Sequence, residues 1–153
     1  MGNFSEAGRK LTDAINAHDL DAATNVYASD AVAYDPMYAE PIRGRDGLRK
    51  DNAIFFRAFP DLRFEILTIV EKDERNGAAE IRMTGTHTGP LESPTGEEIP
   101  PTKKRIELKG AVFGRLNDRG EIVEERRYYD VGTMLRQLGL APEKAEEPVG
   151  VQR

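Results

Sequence analysis

Apolar residues recur at helical spacing along the first sixty residues of the chain. In the first segment the residues that share one helical face are Phe4, Ala7, Leu11, Ala14 and Ile15. The same spacing predicts three helices, over residues 5–16, 20–28 and 48–59. We expect Ser5 and Glu6 to cap the first helix and Asp19 to cap the second. A short edge strand over 31–34 is expected between the second and third helices, because Asp35-Pro36 ends it.

From residue 62 onward the period of apolar positions changes to two. Strands over 62–70 and 78–87 flank a polar turn and predict an antiparallel hairpin. Strands over 105–116 and 121–130 flank Asn117-Asp118-Arg119-Gly120 and predict a second one.

The segment between the two hairpins, residues 89–104, contains four prolines and two glycines. This composition predicts a long loop, which could act as a lid or a dimer contact. After the second hairpin, a helical turn over 134–138 is expected to stop at Gly139.

Helices that precede a set of antiparallel strands indicate an α+β fold, in which the helices pack on one face of a bent sheet. A length of 153 residues leaves room for one domain, which we assign to residues 1–140. The polar, proline-containing stretch 141–153 is expected to be a mobile tail.

Composition narrows the functional classes. With 27 acidic and 22 basic residues the formal net charge is -5, which argues against a nucleic-acid partner. No apolar run approaches the roughly 20 residues of a membrane-spanning helix, and no secretory signal begins the chain, so we expect a cytoplasmic protein without membrane contact.

The chain has no cysteine, and His18 and His87 are its two histidines. A thiolate nucleophile and a structural zinc site are therefore excluded.

Two motifs stand in the second half of the chain. The first is Gly85-Thr86-His87-Thr88-Gly89-Pro90, followed by Pro94-Thr95-Gly96. The second runs from Gly120 to Glu125, ends in Tyr128-Tyr129-Asp130 and precedes Leu135 to Gly139. With these motifs the chain resembles, over nearly all of residues 5–140, the SnoaL-like polyketide cyclases of the nuclear-transport-factor-2-like (NTF2-like) superfamily.

The resemblance implies a cone of three N-terminal helices packed on a curved, mixed or antiparallel sheet that encloses a pocket. It also implies a homodimer that binds a small-molecule ligand and uses no metal and no cofactor. In the family, the aspartate corresponding to Asp130 is the general acid and base of an intramolecular aldol ring closure, and the histidine corresponding to His87 lies in the same pocket.

Strand alternation suggests which side chains line that pocket. Side chains of one strand point alternately to its two faces. One face of the last strand carries Glu124, Arg126, Tyr128 and Asp130, and we expect this face to point into the pocket rather than the face of Glu125 and Arg127. The predicted substrate-binding residues are Tyr34, Phe55, Phe56, Met83, Arg126 and Tyr128.

The leading functional hypothesis is a cofactor-independent, polyketide- or ester-cyclase-like enzyme that acts on a small, mostly apolar carbonyl compound. Asp130 would remove a proton next to the carbonyl, while His87 or Tyr34 would hydrogen-bond the developing oxyanion. In the competing interpretation Asp130 pairs with Arg126 or caps the closing helix, and His87 is a strand residue satisfied by a neighbour.

Two other functions remain open on the same fold. One is an isomerase or an epoxide hydrolase, which a hydrogen-bonded row of Asp130, Arg126 and Glu124 would favour. The other is a module that binds a small molecule or dimerises without catalysis, which the adjacent Arg126 and Arg127 favour.

Overall fold

The computed structural model describes residues 3–141, and these residues form four helices and eight strands. In chain order the elements are α1 (Phe4–Asn16), α2 (Leu20–Asn25), β1 (Tyr27–Tyr34), β2 (Ile42–Arg43), α3 (Gly44–Ala58), β3 (Arg63–Glu71), β4 (Asn76–Thr86), β5 (Leu91–Glu92), β6 (Glu98–Ile99), β7 (Arg105–Leu116), β8 (Ile122–Tyr128) and α4 (Val131–Gln137). The predicted tail, apart from Ala141, lies outside the described residues. No helix within residues 3–141 combines the length and the apolar character needed to cross a membrane.

Six strands form one curved sheet in the order β2-β1-β8-β7-β4-β3. Its neighbouring strands are antiparallel, except that β1 runs parallel to β8, so the sheet is mixed. Register shifts interrupt β3, the β7–β8 pairing and the β1–β8 pairing, and such bulges bend a sheet. The α+β fold with helices packed on a curved sheet, expected from the order of the elements, is confirmed.

Helix α1 forms where the sequence predicts it, although its cap is one the sequence analysis missed. Asn3 and Glu6 make a reciprocal capping box, so Ser5 is not the cap. One face of α1 is buried through Phe4, Ala7, Ala14 and Ile15. Helix α2 begins at its predicted cap, Asp19, which accepts a hydrogen bond from the Ala22 amide at 3.0 Å.

Strand β1 departs from its prediction in length and position. It begins at Tyr27, whereas Val26 and Tyr27 continue the helical spacing of α2 and predict a helix through residue 28. It is also not the sheet edge, because β8 pairs along one side of it and the two-residue β2 along the other. Tertiary pairing overrides the local period here: the side chains of Tyr27 and Ala28 are buried against the sheet.

The long loop over 89–104 is also more regular than predicted. It contains the small hairpin β5–β6, in which Leu91 pairs with Ile99. Leu91 is buried in the core, and Glu98 of β6 accepts a hydrogen bond from Arg57 of α3 at 2.7 Å. The hairpin is therefore held against α3.

Candidate active site

A largely apolar cavity of about 170 Å³ lies between the inner face of the sheet and helices α1 and α3. Its apolar wall includes Leu11, Ile15, Phe55, Phe64, Ile66, Ile81, Met83, Leu108 and Val112. Its polar lining includes Tyr27, Asp35, Asp51, Asn52, Glu125, Arg127 and Tyr129. An apolar hollow with a few converging polar groups is the usual form of a small-molecule site.

Arg127 joins three buried carboxylates in the wall of this cavity. Its Nε donates a hydrogen bond to Glu125 Oε2 at 2.6 Å. Its Nη1 donates to both Asp35 Oδ2 at 2.9 Å and Asp51 Oδ2 at 2.8 Å. The three carboxylate side chains are only 5–7% exposed. We refer to Asp35, Asp51, Glu125 and Arg127 as the acidic cluster.

The topology of the sheet brings the acidic cluster together from three elements. Glu125 and Arg127 are two residues apart on β8, so both point to its inner face. Ala33 of the parallel strand β1 pairs with Glu125, which places Asp35, two residues further on, beside Arg127. Asp51 comes from α3, which packs against β1.

Each carboxylate of the cluster also receives one tyrosine hydroxyl. Tyr27 donates to Glu125 at 2.6 Å, Tyr129 to Asp35 at 2.7 Å and Tyr38 to Asp51 at 3.1 Å. Burial and the adjacent carboxylate both raise the pKa of each tyrosine well above its usual value, so the hydroxyls stay protonated donors.

The cluster leaves one donor free for a ligand. Arg127 Nη2 makes no hydrogen bond to a group of residues 3–141, and Arg127 is part of the cavity lining. In the same part of the chain, no group of three or more His, Cys, Asp or Glu side chains is arranged to hold a metal ion.

Asp130 does not lie in the cavity, and the expectation that it does is wrong. Its side chain is exposed and caps α4, accepting hydrogen bonds from the Thr133 hydroxyl at 2.8 Å and the Thr133 amide at 3.3 Å. These hydrogen bonds lower the pKa of Asp130 below its usual value. The alternative in which Asp130 is a helix cap is confirmed.

His87 is likewise outside the cavity. Its side chain is fully buried beside Phe59, with ring centroids 5.5 Å apart, and it is not part of the cavity lining. The Thr102 amide donates a hydrogen bond to His87 Nδ1 at 3.1 Å, so Nδ1 is unprotonated. Burial lowers the pKa of His87, which keeps the ring neutral. The alternative, a strand residue satisfied by a neighbour, holds for Nδ1 but not for the whole ring. His87 follows the end of β4 at Thr86, and its Nε2 is buried without a hydrogen-bond partner among residues 3–141.

The remaining predicted residues divide between the cavity lining, the core and the outer face of the sheet. Phe55 and Met83 line the cavity, as expected. Phe56 stacks on the ring of His18 at 4.6 Å and packs against the core outside the cavity.

Three of the predicted substrate-binding residues lie on the outer face of the sheet, so their expected place in the pocket is wrong. Tyr34 and Tyr128 are 44% and 55% exposed. The Arg126 guanidinium lies 5.4 Å from the ring centroid of Phe113, which is also exposed. On β8 the inward face is the one that carries Glu125 and Arg127, the reverse of the prediction.

None of the four members of the acidic cluster is among the catalytic and substrate-binding residues predicted from the sequence. One signal for Asp51 was present, since this charged residue lies between Leu48 and Phe55 on the apolar side of the third predicted helix. A charged residue on a buried helical face is unusual unless it is paired. The signal for Glu125 and Arg127 was ambiguous, because both faces of β8 carry charged residues.

A curved mixed sheet whose inner face and helices enclose a cavity with a buried polar cluster is the architecture of the NTF2-like α+β proteins. The chain belongs to the SnoaL-like polyketide cyclase family, whose model matches residues 5–138. No curated protein matches the chain significantly.

Three solved structures illustrate the shared fold. IdmH of Streptomyces antibioticus, a candidate polyketide cyclase, is 28% identical with a TM-score of 0.69, covering 88% of this chain and 97% of its own. SalBIII, an epoxide hydrolase/cyclase-like enzyme with a role in pyran ring formation in the polyether salinomycin, is 17% identical with a TM-score of 0.69, covering 82% and 89%. A Catenulispora acidiphila protein with a ketosteroid isomerase-like fold is 17% identical with a TM-score of 0.72, covering 89% and 94%.

Proposed function

We propose that the protein is a cofactor-independent enzyme that transfers a proton on a small, mostly apolar carbonyl compound, as a cyclase or an isomerase does. The observation that carries this proposal is the buried acidic cluster in the wall of an apolar cavity, where Arg127 holds three carboxylates and keeps Nη2 free. Membership of a cyclase family supports the same class of chemistry.

Asp51 is the best placed general base in the cluster. Asp35 already accepts three hydrogen bonds, from Arg127, Tyr129 and the Met37 amide, out of the about four that a carboxylate can accept. Glu125 accepts two short ones of 2.6 Å. Asp51 accepts two, and the bond from Tyr38 is long at 3.1 Å, so its lone pairs are the least committed.

The proposed step is a single proton transfer. Asp51 takes a proton from the carbon next to the substrate carbonyl, and the electron pair of the C–H bond moves into the forming enolate. Arg127 Nη2 donates a hydrogen bond to the enolate oxygen and stabilises its developing charge. The proton is then returned to another carbon in an isomerase, or the enolate attacks a second carbonyl of the same molecule in a cyclase.

Epoxide hydrolysis is a second candidate, supported by a specific observation. Arg127 Nη1 bridges Asp35 and Asp51, so an arginine lies between two carboxylates. This is the kind of hydrogen-bonded row that would favour an epoxide hydrolase, although it was expected at Arg126. The similarity to SalBIII points in the same direction. In this reaction one carboxylate would accept a proton from the water that attacks the epoxide carbon. The other, in its acid form, would protonate the epoxide oxygen as the ring C–O bond breaks.

Deuterium exchange tests the proton transfer without knowledge of the natural substrate. A small ketone such as 4-methylcyclohexanone is incubated with the protein in D₂O, and the loss of its α-proton signal is followed by NMR. We expect Asp51→Asn to slow exchange by about 100-fold or more, because a general base contributes on that order. Asn keeps both hydrogen bonds of Asp51 by accepting from Arg127 and donating to the Tyr38 oxygen.

Asp130→Asn is the matched control, because it makes the same change at the residue that the family resemblance favours. Exchange should stay within about twofold of the unmodified protein, since Asp130 is an exposed helix cap. Exchange lost in Asp130→Asn and kept in Asp51→Asn would reverse the assignment of the general base.

Cyclohexene oxide in ¹⁸O-labelled water, assayed in parallel, identifies epoxide hydrolysis through a labelled diol. A protein that accelerates neither reaction would be the non-catalytic binding module.

A further inference from the structure

We propose that the cavity selects an uncharged ligand with a carbonyl oxygen and rejects the corresponding carboxylate. The inference rests on the proposed function for the location of the site. Its test measures binding and does not depend on turnover.

Charge is the first selective property of the cavity. Arg127 supplies one positive charge, and Asp35, Asp51 and Glu125 supply three negative ones, so the ionised cluster has a formal charge of 1 − 3 = −2. No other Lys, Arg or His is part of the cavity lining among residues 3–141. A ligand carboxylate would add another negative charge inside an apolar enclosure, where charges interact strongly.

An uncharged substrate avoids this repulsion throughout the proposed reaction. When Asp51 takes a proton and the substrate becomes an enolate, one negative charge moves from Asp51 to the substrate oxygen, and the total charge of the site is unchanged. A substrate that already carries a carboxylate would raise that total at every stage. The cluster therefore fits chemistry on neutral carbonyl compounds.

Hydrogen bonding gives the second selective property. The free donor in the cluster is Arg127 Nη2, whereas each carboxylate presents only acceptors when it is ionised. A carbonyl oxygen can accept from Nη2 while the rest of the ligand contacts the apolar wall. Thr12 and Asn52 of the lining also carry donors, so the discrimination against a carboxylate rests on charge.

Benzamide and benzoate form the decisive probe pair, because they have the same shape and differ in charge at neutral pH. We expect calorimetry to show that benzamide binds about tenfold or more tightly than benzoate, which corresponds to about 1.4 kcal/mol. Benzoate binding equal to that of benzamide, or no binding of benzamide, would each overturn the proposal.

Asp51→Asn tests whether the acidic cluster causes the selectivity. It removes one negative charge and keeps both hydrogen bonds, so the preference for benzamide over benzoate should fall by about threefold or more. Asp130→Asn removes one negative charge from the exposed surface and should leave the preference unchanged. An unchanged preference in Asp51→Asn would contradict the proposal. A preserved preference without any proton exchange on ketones would contradict only the proposed function.

Discussion

At the scale of single residues, Arg127 decides whether the acidic cluster can exist. Burial by itself would lower the pKa of its guanidinium, but Glu125, Asp51 and Asp35 raise it well above its usual value, so Arg127 stays charged. A planar guanidinium has five N–H donors in fixed directions and can hydrogen-bond several carboxylates at once, whereas the ammonium group of a lysine is a single compact charge. Removing it would leave three buried carboxylates without a cation.

Arg127→Met should therefore destabilise the protein strongly. Losing one partner of a buried ion pair costs about 3–5 kcal/mol, and here three carboxylates lose the same partner. Urea unfolding followed by circular dichroism measures the free energy of unfolding.

Arg126→Met is the control for that experiment, because it makes the same substitution one residue earlier on the outer face. Arg126 pairs with Glu124 at 3.6 Å on the partly exposed surface, so its loss should cost no more than about 1 kcal/mol. Equal costs for the two variants would show that the acidic cluster does not depend on its arginine.

At the scale of elements, the sequence predicted what could be read from period and turn chemistry. Helix α1 and both long hairpins lie close to their predicted bounds, because each keeps one period over many residues. Helix α3 begins at Gly44, four residues before its predicted start at residue 48. The inward face of β8 could not be predicted, since charged residues occupy both faces. Pairing with β1 and packing of α3 decide that face, and these contacts join residues far apart in the chain.

The contact between α1 and the sheet depends on two glycines that face each other. Gly77 of β4 pairs with Gly114 of β7, and the ring of Phe4 lies over both. A Cβ atom at position 114 would lie 2.7 Å from Phe4 Cε1, closer than two carbons can pack. The absence of side chains at this pair thus lets the first turn of α1 close one end of the cavity.

Gly114→Ala should destabilise the protein by about 1–3 kcal/mol, the usual cost of overpacking a core. Adding Phe4→Leu, which removes the clashing ring edge, should recover part of this loss, so the two changes will not be additive. Gly8→Ala on α1 is the control. Its Cβ would lie 4.0 Å from the Ile69 side chain, and alanine favours a helix, so stability should not fall. Additive effects of the first two changes would contradict this account of the contact.

At the scale of the whole molecule, the outer face of the sheet carries apolar side chains that have no partner within the described chain. Strand register places Tyr34, Arg126, Phe113, Ala78 and Val70 in one row across five strands. Three of these residues, Tyr34, Phe113 and Val70, are 41–58% exposed, and exposed Tyr128 packs edge-on against Phe113. Several large apolar side chains exposed on one face of a sheet mark an interaction surface.

We propose that a second copy of the chain covers this outer face, because a self-complementary patch generates a closed dimer with twofold symmetry. Sedimentation equilibrium should give twice the monomer mass for the unmodified protein. The double substitution Phe113→Glu with Tyr128→Glu should shift it to the monomer, because it places two buried carboxylates at the centre of the interface without partners. Leu140→Glu changes a residue that is 39% exposed but follows α4 instead of lying on the outer face, so it should leave the dimer intact. A monomeric unmodified protein would contradict the proposed dimer but not the proposed chemistry. The acidic cluster lies on the opposite face of the sheet, so a folded monomeric variant should retain proton exchange.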